Sequence, residues 1–278
     1  MRFPVRGGVA VITGAAGGIG AALAQALAAR GCDLALADMN AAGLAATAER
    51  AAAQGVRVSR HVLDVADADA VAALPQAVLA GHGRVNILVN NAGVALGGRF
   101  EQVALSDIEW LFSVNFWGVV RMTHAFLPLL RREPAAQLVN LSSAFGLIAP
   151  PGQVAYAASK FAVRGFSEAL RHELAGSPVG VTVVHPGGVR TGIAVNARRA
   201  GMSNAEVAAD AKRWEHLLRL DPAEAAARIA QGIERREQRV LIGRDARQIA
   251  LVARLFPVNY WPVLLRLAGR KLRKPARG

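Results

Sequence analysis

Tyr156 and Lys160 stand four residues apart in "YAASK", and Ser143 of "NLSSAFG" precedes the tyrosine by thirteen positions. On a helix, residues at i and i+4 share a face, so the phenol and the ammonium would meet. Free tyrosine titrates near ~10 and lysine near ~10.4. An ammonium held beside a phenol favours the phenolate and lowers its pKa. That shift would bring Tyr156 toward the range of a general acid–base. Ser143 follows an apolar strand pattern at 136–141. It therefore falls at the carboxyl edge, where open α/β sheets bind ligands. Its hydroxyl would orient a substrate oxygen. Alone, a Tyr–Lys pair is an ordinary surface contact; with Ser143 the three form a proton-transfer set.

A second constellation lies near the start. "TGAAGGIG", Thr13 to Gly20, joins an apolar strand pattern to a helical one. Gly14, Gly18 and Gly20, with Ile19 between the last two, permit a tight turn and close approach to a pyrophosphate. The helix start then offers free N–H groups and the positive end of a dipole. A strand before and a helix after give the glycines a dinucleotide reading. The second strand pattern ends at Asp38, eighteen residues beyond Gly20. A carboxylate there accepts hydrogen bonds from ribose hydroxyls and repels a 2′-phosphate, which selects NAD over NADP. The same Asp38 could cap the helix that starts near Asn40. Position 17 is glycine, so no cation waits there for a phosphate. Asp64 and Val65 of "LDVAD" stand where an adenine would be met. Asn91, Ala92 and Gly93 of "NNAG" end the fourth strand, and each motif alone could be a cap or turn.

The elements needed to position these groups alternate along the chain. Apolar runs at 8–12, 33–37, 56–62, 86–90, 136–141, 179–185 and 239–242 predict strands. Helical stretches at 18–30, 40–53, 67–80, 107–131 and 153–175 lie between them. Such alternation predicts repeated βαβ units and one α/β domain. The expected fold is a doubly wound parallel sheet of about seven strands with helices on both faces. Residues 1–243 read as the dinucleotide-binding catalytic domain, with 244–278 as a basic, apolar extension of it.

"TGAAGGIG", "NNAG", "SVNFWG", "NLSSAFG", "YAASK" and "HPGGVRT", in this order and spacing, resemble the short-chain dehydrogenase/reductase family over about residues 8 to 242. The resemblance implies a Rossmann-type fold and an NAD-dependent oxidoreductase. It implies that Tyr156 is the acid–base, that Lys160 holds the nicotinamide ribose, and that Ser143 positions the carbonyl or alcohol. Asn115 of "SVNFWG" would support a water-linked proton relay; its simpler role is a polar interruption in an apolar helix. Pro186, Gly187, Val189 and Thr191 match the segment that closes over the nicotinamide. His185, just before that segment, reads as structural. The resemblance also implies a homodimer or homotetramer.

Substrate identity is weakly encoded. Val94, Leu96, Phe145, Leu147 and Val154 are candidate wall residues. A lid between Thr191 and Asp221 contains Met202, Trp214, Leu217 and Leu218. These point to a hydrophobic secondary alcohol or ketone, or they simply pack the lid onto the body. A β-ketoacyl-carrier reductase and a non-catalytic NAD-binding sensor are the competing readings. Asp38 weakens the first. The intact Tyr156, Lys160, Ser143 and Asn115 weaken the second.

The formal charge is +13, but nine basic residues against one acid in 244–278 account for +8 of it. No zinc-finger, RNA-sheet or basic-heptad pattern accompanies the charge, which argues against a nucleic-acid partner. The six histidines show no ligand spacing, so no metal is expected. "MRFPVRGGVAVITG" runs directly into a strand pattern rather than a secretory leader. The single Cys32 fits a buried small hydrophobe in a reducing cytoplasm. In the tail, Leu255 to Leu265 is uncharged over eleven residues and carries two prolines, too short to span a bilayer. Two short amphipathic helices there could pack on the body, cover a subunit or the substrate mouth, or make peripheral contact with a membrane.

Overall fold

A computed structural model describes residues 2–199, 201, 218–267 and 269. Seven strands form one parallel sheet: β1 (Val9–Thr13), β2 (Asp33–Asp38), β3 (Val58–Val62), β4 (Ile87–Asn90), β6 (Ala136–Leu141), β7 (Val179–Pro186) and β9 (Arg239–Ile242). Their spatial order is β3-β2-β1-β4-β6-β7-β9. β1, β4 and β6 are buried at every residue. Continuous apolar runs of this kind belong to parallel strands covered on both faces. The order reverses between β1 and β4, which creates a crevice at their carboxyl ends.

One face is covered by α1 (Gly18–Ala28), α2 (Ala41–Ala52) and α7 (Pro222–Glu234). The other carries α3 (Ala68–His82), α5 (Gly118–Leu130) and α6 (Val154–Glu173). Local sequence sets the helix ends. Asp67 accepts from the Asp69 and Ala70 amides at 3.0 Å to start α3, and Gly83, with φ of 77°, stops it. Asn40 and Asp221 likewise cap α2 and α7.

The helix expected over 107–131 is interrupted. α4 (Leu105–Phe112) and α5 are joined by a π-turn, Ser113–Trp117. The apolar periodicity runs through the break, so the pattern alone conceals it. Asn115 is fully buried inside the turn and bonds to the Val94 backbone. Widening the ladder gives this side chain its place. A two-residue pair not expected from the sequence joins β5 (Leu96–Gly97) to β8 (Arg198–Arg199). Beyond β9, α8 (Arg244–Leu255) and α9 (Tyr260–Leu267) form the described part of the tail. Among the described residues no helix is long and apolar enough to cross a membrane.

Candidate active site

The glycine loop occupies the crevice between β1 and β4. Gly14 and Gly18 have φ of 66° and 54°, where L side chains are strained. A Cβ on Gly20 would collide with the Gly14 carbonyl, so α1 can begin this close to the strand only with glycine there. Thr13 Oγ1 accepts from the Asn91 and Ala92 amides, each at 3.0 Å. The Asn91 side-chain amide donates to the carbonyls of Thr13 and Gly14, at 2.9 and 3.0 Å. Thr13 and Asn91 therefore brace the loop against the end of β4.

Asp38 meets the same loop. Its carboxylate accepts from Ala16 N–H and from Asn40 N–H, both at 2.9 Å. It thus links the β2 end to the glycine turn and to the start of α2. The capping of α2 itself falls to Asn40, which accepts from Gly43 N–H at 3.1 Å. Asp64, exposed after β3, accepts from Ala66 N–H at 2.9 Å, whereas Val65 is buried against the start of α5 at Gly118.

The proton-transfer candidates converge on the neighbouring carboxyl ends. Ser143 follows β6 and caps a short turn, its hydroxyl accepting from Phe145 N–H at 3.1 Å. Tyr156 and Lys160 lie on α6, with Lys160 Nζ 5.8 Å from the centre of the tyrosine ring. Lys160 is buried and donates to the Leu141 carbonyl at 3.2 Å. Gly93 leaves room for it: a Cβ there would come within 3.4 Å of Nζ and 3.2 Å of Asn115 Oδ1. Asn115 accepts from Val94 N–H at 2.8 Å and donates to the Val94 carbonyl at 3.0 Å and to Ser159 Oγ at 3.2 Å.

The electrostatics correct one expectation. Burial pushes the Tyr156 phenol above its ordinary pKa, and a hydrogen bond with Ser143 draws it only partly back. Burial also brings the Lys160 ammonium down from 10.5 to about 8. In both groups desolvation of the charged form is the largest cause of the shift.

The closing segment lies against the loop. A Cβ on Gly18 would come within 3.1 Å of the Thr191 methyl. Val189 is buried and bridges in parallel to Leu220. Asp245 of α8 accepts from Gly188 N–H at 2.7 Å, and a side chain on Gly187 would strike its carboxylate. Pro186 ends β7 directly before this turn.

Among the candidate wall residues, Phe145 stacks edge-on against Tyr156 with centroids 6.2 Å apart. Val94 packs with Tyr156 against the cluster of Leu96, Leu111 and Ala155. Leu96 and Leu147 are buried, so packing uses most of their surface, while Val154 is exposed at the start of α6. Met202, Trp214 and Leu217 lie outside the described residues.

The short-chain dehydrogenase model matches residues 8–201. The chain belongs to the short-chain dehydrogenase/reductase family. This dehydrogenase is 45% identical over 257 residues to a putative oxidoreductase, SadH, of Mycobacterium tuberculosis, covering 91% of the chain and 92% of the relative. A short-chain dehydrogenase/reductase from Burkholderia phymatum, in complex with NAD, superposes with a TM-score of 0.81 at 32% identity, covering 99% and 98% of the two chains. An alcohol dehydrogenase of the archaeon Thermococcus sibiricus, complexed with 5-hydroxy-NADP, gives 0.72 at 28% identity, covering 84% and 95%. The chain is therefore an oxidoreductase of the kind that uses a nicotinamide dinucleotide. Its own crevice fits that group: the side-chain-free cradle of Gly14, Gly18 and Gly20, two of them at positive φ, opens at the start of α1.

Several residues of this dehydrogenase escape motif reading. Arg198 covers the Trp110 ring at 3.5 Å, pairs with Asp107 at 2.8 Å and donates its amide to Ala95. It fastens the segment after Thr191 onto α4. Asp245 carries no motif signal either, because its partner is distant backbone; Ser159 stands inside "YAASK", but its bond with the buried Asn115 amide at 3.2 Å is not legible there. "HPG" did mark His185 as adjacent to the site, but not its bond to the Ser143 carbonyl at 2.9 Å.

Proposed function

We propose that this short-chain dehydrogenase interconverts a hydrophobic secondary alcohol and its ketone, using NAD. The observation that carries the reading is the convergence of Tyr156, Lys160 and Ser143 beside the glycine cradle. The bound nicotinamide would supply or accept the hydride. Ser143 orients the substrate oxygen. In reduction the Tyr156 hydroxyl gives its proton to that oxygen; in oxidation the phenolate takes it back. Lys160 holds the nicotinamide ribose and keeps positive charge beside the phenol, and Asn115 supports water-linked proton supply to the pair. Ile19, Ala92 and Gly93 line the dinucleotide path with the loop glycines, and Asp64 and Val65 flank the adenine. Pro186, Gly187, Val189 and Thr191 close over the nicotinamide. Asp38 favours NAD, because its carboxylate beside the loop opposes a second charge. The apolar neighbours of Tyr156, chiefly Phe145 and Val94, favour an apolar substrate.

Residues 1–243 form the catalytic unit in this reading, and 244–278 extend it. α5 and α6 supply the contact of a homodimer or homotetramer. Trp117 is 49% exposed and Phe161 39%, and Phe112, Phe116 and Phe166 join Trp117 in an aromatic cluster. The tail packs on the body, where the Tyr260 hydroxyl accepts from Ala149 N–H; the alternative is peripheral contact with an anionic membrane from the cytoplasm. Leu251, Leu255, Phe256, Val258 and Leu267 are exposed among Arg247, Arg254 and Arg266, so apolar surface and positive charge coincide.

A panel of ketones and alcohols, followed by NADH oxidation and NAD reduction, tests the reaction. Turnover is expected with apolar secondary alcohols and their ketones. A preference for a β-ketoacyl-carrier thioester analogue would replace the substrate class. NADH binding without turnover on any member would favour a sensor.

A further inference from the structure

We infer that His185 is a positioning residue, which ties the cofactor-closing segment to Ser143 and fixes the serine for catalysis. This rests on the reading that Ser143 orients the substrate oxygen. His185 lies in β7, immediately before Pro186 and Gly187, and is fully buried. Its Nδ1 lies 2.9 Å from the Ser143 carbonyl oxygen. That oxygen can only accept, so Nδ1 carries the hydrogen. The same oxygen accepts from Gly146 N–H at 2.9 Å. Two donors from different parts of the chain therefore hold one carbonyl, and Ser143 is kept extended, with φ of −164° and ψ of 168°. From that backbone the hydroxyl reaches Phe145 N–H on one side and Tyr156 on the other.

The other ring nitrogen gives a second argument. His185 Nε2 is buried and has no hydrogen-bond partner among the described residues. Leaving a buried acceptor unpaired is costly, so a purely apolar side chain would fill this space more favourably. What histidine adds over leucine is the Nδ1–H donor toward Ser143. Burial, above all, holds its pKa near about 4. The ring is then neutral at ordinary pH and the donor is constant. Movement of the Pro186–Thr191 segment would also be felt at Ser143 through this bond, beside the neighbouring Ser142 N–H to Val184 carbonyl bond of 2.8 Å.

The test compares the full-length chain with His185→Leu, His185→Asn, Ser143→Ala and a double variant that joins His185→Leu to Ser143→Ala. An asparagine amide can place a donor close to Nδ1, whereas leucine cannot. Misplaced reacting groups cost on the order of a hundredfold in rate, so His185→Leu should lower kcat by about tenfold to a hundredfold. NADH binding, followed by its fluorescence, should stay near wild type. His185→Asn should recover most of the rate. The double variant should be no slower than Ser143→Ala, because both changes remove one function. Wild-type kcat in His185→Leu beside a slow Ser143→Ala would overturn the positioning role alone. So would additive losses in the double variant. An active Ser143→Ala would overturn the role of Ser143 and the coupling with it. If His185→Leu fails to fold, His185→Asn against His185→Gln decides: equal rates would sink the proposal, since the longer glutamine cannot offer its donor at the Nδ1 position.

Discussion

Lys160 Nζ stands 5.8 Å from the centre of the Tyr156 ring and donates to the Leu141 carbonyl on the neighbouring strand. One of its three hydrogens is thus committed to the scaffold. Burial raises the tyrosine pKa and lowers that of the lysine to about 8. Of the pair, the lysine therefore loses its proton first as pH rises. At neutral pH the site holds a neutral phenol beside an ammonium, the state suited to proton donation in ketone reduction.

Removal of the phenol hydroxyl tests that arrangement directly. Tyr156→Phe should cut turnover on the best ketone by at least about a hundredfold, the usual scale of general acid–base catalysis. NADH binding should change little, since the ring remains. Lys160→Ala should weaken both. Substantial activity in Tyr156→Phe would mean that another group supplies the proton.

Ketone reduction should also respond to pH through the lysine. Lys160 is charged below its pKa of about 8 and neutral above it. The rate of reduction should accordingly hold from neutral pH to about 8 and fall beyond. A kcat profile that keeps rising well above that pKa would show that the ammonium is not needed.

Asp38 sets an expectation for cofactor choice. Its carboxylate already accepts from Ala16 and Asn40 amides, so its position is fixed beside the loop. Hydrogen bonds to a charged group contribute about 1.5–3 kcal/mol, and a factor of ten needs only ~1.4 kcal/mol. NAD should be preferred over NADP by about tenfold to a hundredfold. Gly17 is extended and a Cβ there meets nothing within 4 Å, so an arginine is sterically admissible. Asp38→Asn with Gly17→Arg should shift the preference toward NADP. Equal wild-type titrations with NADH and NADPH would remove Asp38 from the selection.

The tail can be tested with vesicles. Basic side chains near an anionic surface contribute on the order of 1 kcal/mol each, and salt weakens them. Co-sedimentation with phosphatidylserine vesicles should fall with added salt and on deletion of residues 255–278. It should be weak with neutral vesicles. Equal partitioning of the full and shortened chains would leave α9 as a packing element, held through Tyr260, whose hydroxyl accepts from Ala149 N–H at 3.2 Å.

Acid should destabilise the fold through buried and half-buried histidines. Burial lowers the pKa of His61 and His82, and brings His185 from 6.5 down to about 4. The unfolded chain then binds more protons between these limits. The stabilising contribution is complete above about 6.5 and is lost as pH falls toward 4. For His185 the loss is on the order of 3 kcal/mol when complete. Melting temperature should drop as pH falls from neutrality toward 4, and His185→Asn should flatten part of that slope. An unchanged slope in the variant would assign the acid response to other groups.

Much of this was open to the sequence because its signals are local. The alternation of short apolar runs with helical stretches marked all seven strands of the large sheet, to within one or two residues at their ends. Glycines at the β1 turn, the Tyr156–Lys160 spacing and Ser143 after β6 each follow from residues close together in the chain. By itself the sequence thus determined the parallel architecture and which residues reach the carboxyl edge. Contacts between distant segments, and the depth of burial, belong to the tertiary structure. Only folding brings Asn115 to Val94, Asp245 to Gly188 and His185 to the Ser143 carbonyl. Burial likewise decided the direction in which Tyr156 titrates. The Lys160 neighbour was visible in "YAASK", but removing water from a phenol and an ammonium is an effect of the whole packed chain, and here it raises the one pKa and lowers the other.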